Sequence, residues 1–153
     1  MSKFVIALVF ILLFVVGSQL SQASQVVNNG GGKSISITSL TIHFNKTDAE
    51  FVVDYQLNAI PKFYVLLLGG KLIEEKMDFV FSNFDYDVVK INQDKTIINV
   101  KNVSKYDKDY YLHNKIPFNT TIPLVIIYTT DSKTPSEYHN INSTPNIFYK
   151  ANP

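Results

Sequence analysis

The chain has 153 residues and a formal net charge of +1; 46% of them are hydrophobic and 13% aromatic, which is ample for the core of one globular domain. All 14 cationic side chains are lysines, so the bidentate guanidinium fork is missing and the positive field is weak, which argues against nucleic-acid and phosphate recognition. The absence of cysteine excludes thiol catalysis, cysteine-based zinc sites and disulfides, and leaves the core alone to hold the domain.

In chain order, Met1-Ser2-Lys3 is a short basic start, residues 4–16 are unbroken apolar, and Ser21-Gln22-Ala23 puts small residues where a signal peptidase reads. Residues 1–23 therefore read as a secretory signal peptide cut after Ala23. The alternative is an uncleaved membrane anchor over residues 4–20, although the unbroken run falls short of the roughly 20 residues a bilayer core requires. Either way the expected location is secreted or on the extracellular face of the cell envelope, with the membrane touched only by this segment. Cleavage also removes Lys3, leaving thirteen lysines against thirteen acids.

Residues 24–34 are polar and glycine-rich, the composition of a flexible linker. Their GGGKS end is no phosphate-binding loop, since the first glycine of that motif would fall at Val27 and no strand precedes it. From Ile35 the apolar period is two. Ile35 and Ile37 share one face and Leu40, Ile42 and Phe44 the other, so a bulge near Ser39 is needed to restore a single core face. A turn at Asn45-Lys46-Thr47-Asp48 leads into alternating Phe51, Val53, Tyr55 and Leu57, completing a hairpin with one wet face.

The next stretch, FYVLLLGGKLIEEKM, admits a hairpin turning at Gly69-Gly70 or a helix beginning near Pro61. The helix accounts for more residues: Lys71, Glu74, Glu75 and Asp78 form a polar stripe, and Leu68, Leu72, Ile73, Met77 and Val80 an apolar one. Glycines inside that helix would have to be offset by close packing against another backbone. Further on, residues 86–92 and 96–103 read as a second hairpin and 109–113 as a short strand. Residues 123–129 read as an apolar central strand with Pro123 at its first position. Residues 131–153, rich in Pro, Asn, Ser and Thr, read as a C-terminal surface extension with Ile147-Phe148-Tyr149 docked on the body. The resulting expectation is an α+β domain over residues 35–130: two strands, a helix, then further strands, giving an antiparallel sheet of about five to six strands with one helix packed on a face.

Candidate chemistry is sparse. Four glycosylation sequons begin at Asn45, Asn102, Asn119 and Asn142, each in an expected turn or connection. His43, His113 and His139 have no metal-ligand spacing, and no metal or cofactor is expected. Tyr86 with Lys90 and Tyr111 with Lys115 repeat a Tyr-x-x-x-Lys spacing without the glycine-rich fingerprint that would give it meaning. Asp85 with Asp87, and Asp107 with Asp109, would share strand faces if extended, but neither pair has the glycine-punctuated loop of a calcium site. Tyr106, Tyr110 and Tyr111 sit among lysines and aspartates, where tyrosines can stack on sugar rings or anchor a protein; otherwise alternate ones are core.

These features imply a secreted or cell-surface, non-enzymatic domain that binds a partner or forms part of the envelope, the partner being a carbohydrate or a surface protein. One alternative is a carbohydrate-binding module using Tyr106, Tyr110 and Tyr111, with His113 alongside. The other is a small exported hydrolase or lyase using His113 with Asp107 or Asp109.

Overall fold

A computed structural model describes residues 35–57 and 70–151. The leader, the linker and the first half of the expected helix, with Gly69, lie outside these residues. Strands β1 (Ile35–Asn45) and β2 (Asp48–Leu57) form the expected antiparallel hairpin. Its register shifts between Ile37 and Ser39, leaving Thr38 as the extra residue of a bulge. The bulge resets the phase, so that Ile35, Leu40, Ile42 and Phe44 are all buried against Phe51, Val53 and Tyr55 of the partner strand.

The helix α1 (Lys71–Val80) begins directly after Gly70, which sits at its N-cap with φ 95°. The Gly70 carbonyl accepts the N–H groups of Ile73 and Glu74 at 2.8 and 3.0 Å. This corrects the expectation that Gly70 lies within the helix: a left-handed backbone starts the helix here, and only glycine adopts it without strain. A Cβ at Gly70 would lie 3.2 Å from two side-chain atoms of Ile91. Ile73, Met77 and Val80, spaced by four and three, are buried, while Lys71, Glu74, Glu75 and Asp78 are exposed. After the helix Phe81 and Phe84 pack edge-on against Phe51, at 5.8 and 5.4 Å, and both meet Phe118. This aromatic cluster seats α1 on the sheet.

The second hairpin, β3 (Tyr86–Ile91) and β4 (Lys95–Val100), falls where expected and pairs through β4 with β2. A short tight hairpin follows, β5 (Ser104–Asp107) and β6 (Tyr110–His113), whose two turn residues Lys108 and Asp109 have φ 46° and 74°. Both values match the primed turn that suits the twist of a two-residue hairpin. Three further strands follow, β7 (Pro117–Tyr128), β8 (Ser136–Ser143) and β9 (Ile147–Lys150).

Two sheets result: six strands in the order β3-β4-β2-β1-β7-β8, and three in the order β5-β6-β9. The fold is thus mostly β, with one helix among the described residues, and the single antiparallel sheet expected is corrected in two ways. The larger sheet is mixed, because β7 lies parallel to β1 from Leu40 opposite Val125 to His43 opposite Tyr128. A second sheet exists, because the segment after residue 130 supplies a strand to each sheet, β8 to the larger and β9 to the smaller. Of the residues expected to dock, Tyr149 is fully buried and Phe148 faces outward. Pro123 lies inside β7 and not at its start; the pairing with β1 begins only at Val125, so its missing N–H interrupts none of those parallel partners.

Candidate functional site

The small sheet is joined to the larger one by three connections, leaving β4, β6 and β8, and all three meet at one side chain. His113, 1% exposed at the end of β6, donates from Nδ1 to the Val103 carbonyl at 2.6 Å. Its Nε2 accepts from the Thr144 hydroxyl at 2.8 Å. The same hydroxyl accepts the Ile116 N–H at 2.9 Å, and the Thr144 N–H returns to the Ile116 carbonyl. A carbonyl can only accept, so Nδ1 carries a ring proton; in the neutral ring Nε2 accepts from the Thr144 hydroxyl, which also lies 3.4 Å from the Ile116 carbonyl. Burial lowers the His113 pKa, and the bond to Val103 only partly opposes that. Phe44 packs on the ring at 4.9 Å.

This geometry separates His113 from the acids with which a hydrolase would use it. Asp107 and Asp109 belong to the turn at the other end of the β5–β6 hairpin. Asp109 accepts from the Tyr106 hydroxyl at 3.3 Å, and its left-handed backbone breaks the extended stretch that would have put it on a face with Asp107. Both ring nitrogens of His113 are occupied within the fold, so the residue is a structural joint. Asp87 pairs with Lys101, holding that ammonium's pKa above its ordinary value. No group of His, Asp and Glu that could hold a metal ion exists among the described residues.

Strand alternation divides the three tyrosines between opposite faces of the small sheet. Tyr106, Tyr111 and Tyr149 stand directly opposite one another across β5, β6 and β9, on the inner face. Their rings lie 5.2 and 5.4 Å apart and grade from exposed through half-buried to buried. The row ends where the Tyr149 hydroxyl donates to the Lys46 carbonyl at 2.6 Å, fastening the small sheet to the β1–β2 turn. Burial raises the pKa of that hydroxyl.

Tyr110 lies on the outer face. Its ring stacks on Phe148 at 4.4 Å and 18°, beside Leu112. Tyr110, Leu112 and Phe148 are 36%, 37% and 61% exposed. The register arranges this face as two rows: Lys105, Leu112 and Phe148 in one, Asp107, Tyr110 and Lys150 in the other. An apolar centre with charges at both edges is the composition of a contact surface. Leu112 and Phe148 were not among the candidate site residues read from the sequence, Phe148 having been expected to dock on the body; the alternation of YYLH hinted at Leu112, whereas Phe148 reaches this face only through a pairing 36 residues distant.

The sequon asparagines Asn45, Asn102, Asn119 and Asn142 are all exposed. They differ in what their amides do. Asn119 donates to the Phe79 carbonyl at 2.9 Å and the Ser82 hydroxyl at 2.7 Å, tying β7 to the end of α1. Asn102, at φ 51°, has its backbone N–H held by Asp48 at 2.9 Å. Asn45 closes the β1–β2 hairpin, and Asn142 lies on the edge strand β8. No protein-family description, curated protein or solved structure matches the chain.

Proposed function

We propose that this chain is an exported, non-enzymatic binding domain whose contact surface is the outer face of the three-stranded sheet. The observation that carries the reading is the Tyr110–Phe148 stack, two adjacent aromatic rings left open to solvent beside Leu112. Single exposed apolar residues are ordinary, but aromatic residues gathered on a rigid sheet and edged by charge are the usual anchors of a protein contact. Export rests on the leader of residues 1–23, and the exposed asparagines of the four sequons suit a glycosylated chain in that setting.

The division of the tyrosines weighs against a carbohydrate module built on Tyr106, Tyr110 and Tyr111 as one flat platform, since only Tyr110 belongs to the outer face. The separation of His113 from Asp107 and Asp109 weighs against a hydrolase built on those residues. The test has two arms. N-terminal sequencing of the chain released by producing cells should start at Ser24; an intact Met1 on the cell-associated protein would point to an anchor instead. Binding of the purified chain to glycan, polysaccharide and extracellular-protein arrays should drop at least about tenfold in Phe148→Ala and Tyr110→Ala, as for anchors of an interface. Array binding that those substitutions leave unchanged would move the contact surface elsewhere.

A further inference from the structure

The outer face of the small sheet is complementary to itself, and we infer that its occupant is a second copy of this chain. The inference rests on the reading of this face as the contact surface and names the partner. Across β5, β6 and β9 one row runs Asp107, Tyr110, Lys150, with opposite charges at its two ends. The other runs Lys105, Leu112, Phe148, with a cation at one end and an open aromatic ring at the other.

Two such faces can be brought together about a twofold axis parallel to β6 and lying in the plane between them. That operation exchanges the β5 and β9 sides while keeping each row at its own level. Asp107 of each protomer then faces Lys150 of its partner, twice by symmetry, and Lys105 of each faces Phe148 of its partner. Leu112 and Tyr110 lie near the axis and meet their own counterparts. A twofold interface requires this self-complementarity, and ammonium groups over aromatic faces and opposed charges supply both attraction and register. Neither Lys105, Asp107 nor Lys150 takes part in an ion pair within the chain among the described residues, so their charges are available. The two sheets would stack about 10 Å apart with strands nearly aligned.

The face is small, roughly 14 Å across three strands and about 13 Å along four residues. It lies below the size of a stable interface and belongs with weak, transient contacts, so its association is expected only at high micromolar to millimolar concentration. Sedimentation equilibrium of the purified chain, expressed from the full sequence, should show its mass rising from monomer toward dimer over that range. Asp107→Lys and Lys150→Asp should each weaken association at least about tenfold, because each places like charges opposite one another at both ends. The double variant Asp107→Lys with Lys150→Asp should recover most of the wild-type association. A thermal melt of each variant establishes that it is folded.

A chain that stays monomeric throughout, or a dimer indifferent to the single exchanges, overturns the inference. So does failure of the double exchange to restore association when both single exchanges abolish it. A monomer whose array binding still requires Tyr110 and Phe148 would sink the dimer while leaving the binding surface in place. Loss of both would sink the two together.

Discussion

Acid should loosen the joint between the two sheets through His113. In the folded chain burial holds its pKa below the ordinary 6.5. It bonds to the Val103 carbonyl and Thr144 and packs on Phe44 of β1, with Ser104 of β5 and Ile147 of β9 opposite it in register, and no carboxylate is among these to stabilise an imidazolium. In the unfolded chain the ring takes up a proton at about 6.5. Because the folded value is the lower one, the unfolded state binds the extra proton, so this contribution to stability is intact above about pH 6.5 and falls as the pH drops. One pH unit below that point the loss can reach at most about 1.4 kcal/mol, and it stops growing where the folded form itself becomes protonated.

The comparison that isolates this effect is His113→Gln, which cannot titrate. Loss of well-aimed bonds to Val103 and Thr144 should cost the variant about 1–3 kcal/mol at pH 8. Urea unfolding followed by circular dichroism at steps from pH 8 to 5.5 yields the stability difference between the two chains. Every other titrating group is common to both and cancels from that difference. The wild-type advantage should shrink as the pH falls, by at most about 1.4 kcal/mol across the range. A difference that stays constant with pH would refute the reasoning, because it would mean that the ring is protonated alike in folded and unfolded states.

Two further substitutions test local features of the fold. Gly70→Ala should destabilise the chain by about 2 kcal/mol in urea unfolding, since alanine must accept the φ of 95° and also press on Ile91; an unchanged midpoint would mean that the helix start rearranges freely. Asn119→Ala should cost about 1 kcal/mol by removing the two bonds to Phe79 and Ser82, and hydrogen exchange in the last turn of α1 should quicken, whereas equal exchange would show that β7 does not hold the helix end.

How much of this was legible in the sequence depended on the range of the interaction. The β1–β2 hairpin, its bulge beside Ser39 and the β3–β4 hairpin could be read because alternation and turn residues act over a few positions. The stripe of Ile73, Met77 and Val80 was equally visible, but the helix start, expected near Pro61, lies at Gly70, where a positive φ leaves no mark beyond the glycine itself. Alternation along YYLH predicts that Tyr111 and Tyr110 point oppositely, so the split of the tyrosine cluster was latent in it. What alternation cannot encode is which strand lies alongside, or in which direction. The parallel pairing of β1 with β7 and the capture of β9 by β6 were invisible for that reason.

Those distant pairings decide where the candidate surface resides. Tyr110 acquires its stacking partner only when β9 docks, and β9 is the last strand among the described residues. The same docking places Lys150 at the end of the row opposite Asp107 and buries Tyr149 against the β1–β2 turn. His113 likewise completes its bonds only when Thr144, just beyond β8, arrives. Closing contacts between residues so far apart in the chain is entropically costly and slow, and the gain comes only when the last strand is in place. Loss of residues after Ser143 would therefore strip the outer face of Phe148 and Lys150 and the joint of Thr144 together, while the local hairpins β1–β2 and β3–β4 would keep their own pairing. The segment that looked most like a tail is, on this reasoning, the one on which the binding surface depends.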